Sequence, residues 1–321
     1  MRVVFTDFVQ PNLELERGLA EGAGLELVEA QPHCTTDDEV IRAAEGATAV
    51  IVQNAPITDK VFAGLPDLRI VATPGIGVDM IDIEAAEAHG VWVAHVPDGN
   101  ITEVACHALA MALSLTRHLP FYDAAMRAGE WSYDGTGPLT RPGKTTLGVA
   151  GLGKIGRLTA AYATPVFGRI LGYDPHLSEA AWPDGVERLH DLAELAAASD
   201  VLTFHMPLTA ETRGLVNRDL LGAMKPGGYL VNVSRGAIVE IPDLLAALDS
   251  GQLAGAALDV FPQEPVAAED PVLRHPKLIL SPHAAFYSLE SDEELRSRAV
   301  TNVIAFLKTG RPENVVVEGN R

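Results

Sequence analysis

Short apolar runs alternate with stretches of helical periodicity over nearly the whole chain. This alternation predicts βαβ units, in which each parallel strand is followed by a helix that leads to the next strand. The first group of predicted strands comprises Val3–Thr6, Leu25–Glu29, Ala49–Gln53, Ile70–Ala72 and Val91–Ala94. The second group comprises Leu147–Ala150, Ile170–Tyr173, Val201–Phe204, Tyr229–Val233, Gly255–Leu258 and Leu278–Leu280. We therefore expect an α/β protein with two doubly wound parallel-sheet domains.

Two longer helical patterns stand beside these units. One begins near Thr102 and runs through apolar positions such as Phe121 and Met126 to a stop signal at Gly129. The other, Leu289–Leu307, predicts a terminal helix. Between the first of these and the second group of strands lies a polar loop that is rich in glycine and proline, from Trp131 to Lys144.

Composition narrows the class of protein. The 321 residues suffice for two cores, because one hydrophobic core rarely grows beyond about 250–300 residues. The formal net charge of −19 argues against binding to nucleic acid or to an anionic membrane. No apolar run of about 18 residues predicts a membrane span, and the N-terminus resembles a strand rather than a signal peptide. Cys34 and Cys106 lie far apart, which favours reduced packing residues in a cytoplasmic protein.

A glycine-rich turn predicts a dinucleotide site. Gly151, Gly153 and Gly156 form GxGxxG between a predicted strand and the helical stretch Lys154–Tyr162. Glycines allow the tight turn and a close approach to a pyrophosphate, whose charge the helix N-terminus stabilises. Asp174 ends the next strand, 23 positions after Gly151, where a carboxylate can bind both ribose hydroxyls of NAD. The acidic residue, with no arginine after it, favours NAD over NADP.

Three polar side chains follow three predicted strands in the second half of the chain: Arg235, Glu264 and His283. Ligands bind at the carboxyl ends of strands in open α/β sheets. An arginine can hold a substrate carboxylate in a bidentate manner, and a histidine held by a carboxylate can give a proton to a developing alkoxide. Any one of them alone would be an ordinary structural or surface residue; together they predict reduction of a 2-keto acid.

The other histidines are expected to be structural or surface residues. His205 is the possible exception, because it also follows a strand, but a place in a cofactor loop suits it better than the role of an acid. No set of His, Cys, Asp and Glu residues has the spacing of metal ligands, so no metal is expected.

With these residues in place, the sequence resembles the D-isomer-specific 2-hydroxyacid dehydrogenases, and within them the phosphoglycerate-dehydrogenase and C-terminal-binding-protein branch. The resemblance covers nearly the whole chain. It rests on Gly75-Ile-Gly-Val-Asp79, Gly151-Leu-Gly-Lys-Ile-Gly156, Pro207-Leu-Thr-Ala-Glu-Thr-Arg-Gly214, Met224-Lys-Pro-Gly-Gly228, Val233-Ser-Arg-Gly236, Ala257-Leu-Asp-Val260 and Ser281-Pro-His-Ala-Ala285.

The resemblance implies a flavodoxin-like substrate domain (residues 1–98 and 285–321) and a Rossmann NAD-binding domain (residues 99–284), with the active site in the cleft between them. It also implies a homodimer, formed largely through the long helix that starts near Thr102. The implied catalytic residues are Arg235, Glu264 and His283. The implied NAD contacts are Gly151, Gly153, Lys154, Ile155, Gly156, Asp174, Pro207, Thr212, Val233, Ser234, Asp259 and Ala285, with Asp259 near the nicotinamide carboxamide.

Substrate contacts are implied for the backbone amides of Ile76 and Gly77, for Arg235, and for Phe286, which either closes over an apolar or thioether side chain or simply packs between the domains. Many relatives carry an arginine just before the GxGxD turn, where this chain has Thr73-Pro74. The expected activity is interconversion of a 2-keto acid and its D-2-hydroxy acid. The alternatives are an NADH-sensing binding protein like the co-repressor relatives and, less well supported, oxidation of formate or phosphonate.

Overall fold

The chain divides into two compact units. A computed structural model describes residues 1–135 and 137–320. Unit 1 comprises Met1–Asn100 and Ser288–Arg321, and unit 2 comprises Ile101–Tyr287. The sequence placed the corresponding divisions after residues 98 and 284, and the assignment of unit 1 to the substrate stays a prediction.

Unit 1 contains a six-stranded sheet in the order β13-β5-β4-β3-β1-β2. Its strands are β1 (Arg2–Phe5), β2 (Glu26–Glu29), β3 (Ala49–Ile51), β4 (Ile70–Ala72), β5 (Trp92–Ala94) and β13 (Val315–Val317). The order β2-β1-β3-β4-β5 is the flavodoxin-like order, and these five strands are parallel. The sequence did not predict β13, which pairs with β5 in the antiparallel direction.

Helices cover both faces of the unit 1 sheet, so β3, β4 and β5 are buried along their whole length. The helices are α1 (Glu14–Gly22), α2 (Asp37–Ala43), α3 (Asp59–Gly64), α4 (Ile83–His89) and α11 (Leu289–Thr309). Side chains of α2, α3 and α4 pack on one face of the sheet, and α1 and α11 supply the core of the other. The predicted doubly wound arrangement is therefore confirmed in this unit.

Unit 2 contains a seven-stranded parallel sheet in the order β12-β11-β10-β9-β6-β7-β8. Its strands are β6 (Thr146–Ala150), β7 (Arg169–Tyr173), β8 (Glu187–Arg188), β9 (Val201–Phe204), β10 (Gly228–Asn232), β11 (Leu253–Leu258) and β12 (Leu278–Leu280). Counted from β6, the order is the Rossmann order 3-2-1-4-5-6 with one further strand. The predicted Rossmann domain is confirmed, although the short edge strand β8 was missed.

The helices of unit 2 lie on both faces of its sheet and enclose two apolar clusters. They are α5 (Ile101–Thr116), α6 (Leu119–Arg127), α7 (Lys154–Ala163), α8 (Leu192–Ala198), α9 (Arg218–Ala223) and α10 (Ile241–Asp249). Short 3-10 turns occur at Pro142–Lys144, Glu179–Ala181, Gly236–Ile238 and Pro271–Arg274.

The long helix expected from Thr102 to Gly129 is wrong in one respect, because it is two helices. His118 separates α5 from α6 with φ of 53°, in the left-handed region. Its ring is buried, and its Nε2 lies 2.7 Å from the hydroxyl of Tyr229 on β10. Pro120 stands in the first turn of α6, where proline commonly begins a helix, so the sequence contained a local signal for this break that the prediction of one helix overlooked.

The described part of the chain contains neither a membrane-spanning helix nor a disulfide bond. Across residues 1–135 and 137–320, no helix has both the length and the apolar character that crossing a bilayer requires. Cys34 is buried and Cys106 is exposed, and both are free thiols. The cytoplasmic location stays a prediction.

A buried ion pair joins α1 to α11 and so connects the two sequence segments of unit 1. The guanidinium of Arg296 donates to both carboxylate oxygens of Glu16, from Nε at 2.7 Å and from Nη2 at 2.8 Å. Glu16 is fully buried. The hydrogen bonds to Glu16, and a further one to Asp292, raise the pKa of Arg296 against the opposing effect of burial.

We expect Glu16→Gln to lower the free energy of unfolding by about 3 kcal/mol, because it removes the fully buried carboxylate that binds Arg296 in a bidentate manner and leaves Asp292 as the partner of the guanidinium. Urea unfolding measures this. A Glu16→Leu/Arg296→Met double variant should recover much of the loss, since an apolar pair of similar size can replace a buried ion pair. Arg127→Ala, which removes an exposed pair with Asp123, should change little. A loss of unfolding free energy below about 1 kcal/mol in Glu16→Gln would mean that the ion pair of Glu16 and Arg296 contributes no more than an exposed pair.

Candidate active site

The predicted catalytic residues lie beyond the carboxyl ends of three neighbouring parallel strands. Arg235 follows β10, Glu264 lies in the loop after β11, and His283 follows β12. These strands are paired in register, so their ends meet at one edge of the sheet. The three residues therefore lie at one edge of the sheet, as the sequence predicted, and their catalytic roles stay predictions.

His283 and Glu264 form a close pair. His283 Nδ1 lies 2.6 Å from Glu264 Oε2, and Glu264 Oε1 accepts the backbone N–H of Phe261 at 2.8 Å. The ring of Phe286 stands edge-on to the imidazole, with ring centroids 6.3 Å apart. Because an ionised carboxylate only accepts hydrogen bonds, Nδ1 is the donor, and Nε2 is the other ring nitrogen that can exchange a proton.

The backbone of His283 adopts an uncommon conformation. Its φ is 52°, in the left-handed region that residues other than glycine seldom enter. Such residues cost free energy, persist only where the surroundings hold them, and concentrate at functional sites. Here the backbone N–H of His283 donates to the carbonyl of Asp259 at 2.7 Å.

Charge around Glu264 favours its ionised form. Burial opposes ionisation, but the hydrogen bond and charge of His283, the amide of Phe261 and the charge of Arg235 together hold the pKa of the Glu264 carboxyl below its ordinary value. The guanidinium of Arg235 also donates from Nη1 to the carbonyl of Ser234 at 2.8 Å. Glu264 is thus the group that links the other two predicted catalytic residues.

Asp259 organises the loop that carries His283. It is fully buried, and its Oδ1 accepts the hydroxyl of Ser281 at 2.5 Å and the N–H of Ala284 at 2.8 Å. Its Oδ2 accepts the N–H of Ala285 at 2.9 Å. The carboxylate is therefore bonded on both sides of His283, and its predicted contact to a nicotinamide carboxamide stays a prediction.

His205 differs from His283 in its electrostatics. Its Nε2 lies 3.0 Å from Thr203 Oγ1, and burial lowers the pKa of His205 to about 3. A histidine with that pKa holds no extra proton near neutral pH, so it is a poor general acid. The geometry agrees with the expectation that His205 belongs to the cofactor loop, since it lies against the glycine turn.

The glycine turn requires its glycines. Gly151 has φ of 91°, and a Cβ built on it would lie 2.8 Å from the carbonyl group of His205. A Cβ on Gly156 would lie 1.9 Å from the carbonyl oxygen of Gly151. Gly153 is different, because a Cβ there would meet nothing within 4 Å. It precedes α7, so open space faces the N-terminus of a ten-residue helix, where the phosphates of a dinucleotide bind in this fold.

Asp174 directly follows β7 and holds the same turn. Its Oδ2 accepts the N–H of Leu152 at 2.9 Å, and its Oδ1 accepts the N–H groups of His176 and Leu177 at 3.0 and 3.1 Å. The residues that are present thus fit a dinucleotide: an open glycine turn, a helix N-terminus and a carboxylate at the end of the second strand.

The remaining predicted cofactor residues lie on the same edge of the unit 2 sheet or in the first turn of α7. Lys154 and Ile155 begin α7. The hydroxyl of Thr212 donates to the carbonyl of Pro207 at 2.7 Å, which closes the loop after β9. Val233 and Ser234 follow β10, and Ala285 is buried.

The predicted substrate contacts Ile76 and Gly77 belong to unit 1 and follow β4. The carbonyl of Ile76 accepts a hydrogen bond from Nδ1 of His95 at 2.9 Å. This bond secures the loop, and the contact of its amides with substrate stays a prediction.

Three side chains that the sequence did not assign complete the arrangement. Asn232 Oδ1 accepts both the N–H and the hydroxyl of Ser234, and its Nδ2 donates to the carbonyl of Arg235. Ser281 donates to Asp259, and Nε2 of His107 on α5 lies 3.0 Å from the Ser281 hydroxyl. Ser281 stands inside a recognised motif and Asn232 directly precedes another, whereas nothing in the sequence marks His107.

A metal centre has no counterpart among the described residues. Within residues 1–135 and 137–320, no three His, Cys, Asp or Glu side chains are grouped so that they could hold an ion. The groups described above can bind an anion, exchange a proton and hold a dinucleotide.

Comparison with known proteins places this geometry in a family context. Residues 109–285 match the model of the D-isomer specific 2-hydroxyacid dehydrogenase, NAD binding domain. The chain is 38% identical over 271 residues to D-3-phosphoglycerate dehydrogenase of Mycobacterium bovis. The aligned residues cover 83% of this chain and 49% of that protein. The chain thus spans about half the length of this relative.

Other relatives match over nearly their full length. The chain is 32% identical over 301 residues to hydroxypyruvate reductase of Blautia hydrogenotrophica, covering 92% of this chain and 93% of the relative. Among solved structures, D-lactate dehydrogenase from Aquifex aeolicus, complexed with NAD and lactic acid, superposes with a TM-score of 0.88 at 28% identity. That superposition covers 99% of this chain and all of the other.

We expect Gly153→Ala and Gly156→Ala to separate NAD binding from folding. Gly153→Ala should leave thermal stability nearly unchanged but weaken NADH binding about tenfold or more, because its methyl group enters the space for the pyrophosphate. Gly156→Ala should also lower the melting temperature, because its methyl group meets a backbone carbonyl. Fluorescence titration with NADH and thermal unfolding measure the two effects. Equal NADH affinity in Gly153→Ala and the parent protein would argue against this turn as the binding site.

Proposed function

This chain belongs to the D-isomer specific 2-hydroxyacid dehydrogenase family, and on that premise we propose that it interconverts a 2-keto acid and its D-2-hydroxy acid with NAD. The observation that carries the proposal is the pair of His283 and Glu264, joined at 2.6 Å beyond the ends of β12 and β11. Family membership alone would not require this pair, because a protein that only senses NADH has no need of it.

His283 is proposed as the acid and base. Glu264 accepts the hydrogen bond from Nδ1, which orients the ring and leaves Nε2 as the nitrogen that can exchange a proton. In the reductive direction, Nε2 gives its proton to the oxygen of the keto group as negative charge develops there, and in the oxidative direction it takes that proton back. When bound, the nicotinamide supplies or accepts the hydride.

Arg235 is proposed to bind the substrate carboxylate. A guanidinium can hold a carboxylate through two parallel hydrogen bonds, and its charge also polarises the adjacent carbonyl group. Arg235 follows β10, at the same edge of the sheet as the strands that precede Glu264 and His283, and its charge favours the ionised form of Glu264. The amides of Ile76 and Gly77 remain predicted contacts for the same carboxylate.

The substrate side chain is proposed to be uncharged. Phe286 stands edge-on to His283, and Tyr287 stands edge-on to Phe286, so the segment after the proposed acid is aromatic. At Thr73-Pro74, where many relatives of the resembling family carry an arginine, this chain has no cationic side chain. Unphosphorylated 2-keto acids such as glyoxylate, hydroxypyruvate, pyruvate and phenylpyruvate are therefore preferred to 3-phosphohydroxypyruvate.

We expect His283→Asn to lower turnover by about 10²–10⁴-fold, because it removes the proton donor. Asparagine tolerates the left-handed backbone better than alanine, so folding and NADH binding should persist. The assay is NADH oxidation with a panel of 2-keto acids, and the exposed His190 supplies a matched control as His190→Asn. Unchanged turnover in His283→Asn would remove His283 from the mechanism. NADH binding without turnover of any keto acid by the parent protein would favour the NADH-sensing alternative.

We further propose that the protein is a homodimer that uses α6 and the segment after it. Large apolar side chains are exposed along this stretch, from 50% for Met126 and 57% for Leu119 to 87% for Tyr133 and 89% for Trp131. Exposed aromatic groups in one continuous segment are typical of an interface. A second copy is the partner that the resemblance implies. The main body of α5, in contrast, packs within unit 2, against α7 and β10.

We expect sedimentation velocity to give twice the mass of one chain, and Trp131→Glu to shift the protein toward the monomer, because it places a charge in an apolar interface. Leu273→Glu is the matched control, since Leu273 is also exposed but lies in a 3-10 turn far along the chain. A monomeric parent protein, or equal effects of the two variants, would contradict the proposal.

A further inference from the structure

Helix α5 reaches the loop of His283 through a chain of hydrogen bonds. His107 Nε2 lies 3.0 Å from Ser281 Oγ, and Ser281 Oγ lies 2.5 Å from Asp259 Oδ1. His107 is 174 residues away from Ser281 in sequence. The three groups all belong to unit 2, and none of them is among the proposed catalytic groups.

The donor and the acceptor of each bond follow from which groups carry a proton. A serine hydroxyl has one proton, and an ionised carboxylate can only accept. Ser281 therefore donates to Asp259. The remaining partner of the Ser281 oxygen must be a donor, so Nε2 of His107 carries a proton that it donates to Ser281.

Asp259 also forms hydrogen bonds with the backbone of the loop that carries His283. Its two oxygens receive the N–H groups of Ala284 and Ala285, and its own carbonyl receives the N–H of His283. His283 stands at φ of 52°, a conformation that the surroundings must maintain. A buried carboxylate that loses one of its donors is held less firmly in place, so we expect its hydrogen bonds to these amides to weaken.

We propose that His107 and Ser281 are positioning residues that hold Asp259, and through it the left-handed backbone of His283, in the geometry needed for proton transfer. This inference rests on the proposed function only for its kinetic consequence. Groups that orient a reacting side chain commonly contribute about 10- to 100-fold, because a shift of about 1 Å is enough to lose that much rate.

The test compares removal with conservative replacement. We expect Ser281→Ala and His107→Ala each to lower kcat by about 10- to 100-fold while KM and NADH affinity stay nearly unchanged. Ser281→Thr keeps the hydroxyl, and His107→Gln keeps a neutral N–H donor near the position of Nε2, so both should retain most of the activity. The kcat of the double variant Ser281→Ala/His107→Ala should be little lower than that of either single variant, since both residues belong to one series of hydrogen bonds. Ser250→Ala, whose hydroxyl donates to Ala247 at the end of α10, is the matched control.

A second measurement does not depend on activity. Amide hydrogen exchange at Ala284 and Ala285 should become faster in Ser281→Ala and His107→Ala, and stay near the parent rate in Ser281→Thr and His107→Gln. If the parent protein turns over no keto acid but these exchange rates change as expected, the proposed function fails and the positioning role stands.

Three results would overturn the positioning role. One is unchanged kcat and exchange in Ser281→Ala. Another is a loss in His107→Gln or Ser281→Thr as large as that in the alanine variants, which would exclude the donor chain. The third is a fall in NADH affinity that parallels the fall in kcat, which would mean that Asp259 serves the cofactor rather than His283.

Discussion

The site depends most on the buried carboxylate of Asp259. A parallel sheet brings the ends of β10, β11 and β12 together, but it does not decide the path of the chain beyond them. That path is set where Asp259, one residue past β11, accepts donors from the segment that follows β12. An ionised group without solvent is tolerable only when its lone pairs are satisfied, so the loop must wrap around it. The conformation of His283 is a result of this constraint rather than of any local preference.

The two histidines at strand ends, His205 and His283, differ in their burial and in the charge beside them. His205 lies against the glycine turn, where burial lowers its pKa to about 3, and its Nε2 lies 3.0 Å from Thr203 Oγ1. His283 retains partial access to solvent, and its Nδ1 lies 2.6 Å from a carboxylate oxygen of Glu264. The two imidazoles therefore stand in different surroundings, which differ in burial and in the neighbouring charge.

Much of the fold follows from local pattern, because buried parallel strands are short apolar runs and each is followed by a helix. The bounds of β4 and β12 agree with those expected from sequence, and so does the placing of GxGxxG between β6 and α7. Features that depend on distant partners could not be predicted. Strand β13 is defined by its pairing with β5, and His107 is marked only by its contact with Ser281. The break at His118 was missed for another reason, because Pro120 in the first turn of α6 was a local signal that was overlooked. In the site, residue types at strand ends were predictable, whereas the bonds that orient them were not.

The division of unit 1 into two sequence segments has a consequence for biosynthesis. On the ribosome, β1–β5 emerge first, but α11, which covers one face of their sheet, emerges only after all of unit 2 has been made. At about 5–20 residues per second, that interval is on the order of 10–40 s. During this time the apolar face that Phe306 and Val303 later cover is exposed, and Glu16 has no counter-ion. Unit 2 can complete its own sheet meanwhile, so the nascent chain should need chaperone protection chiefly at its N-terminal part.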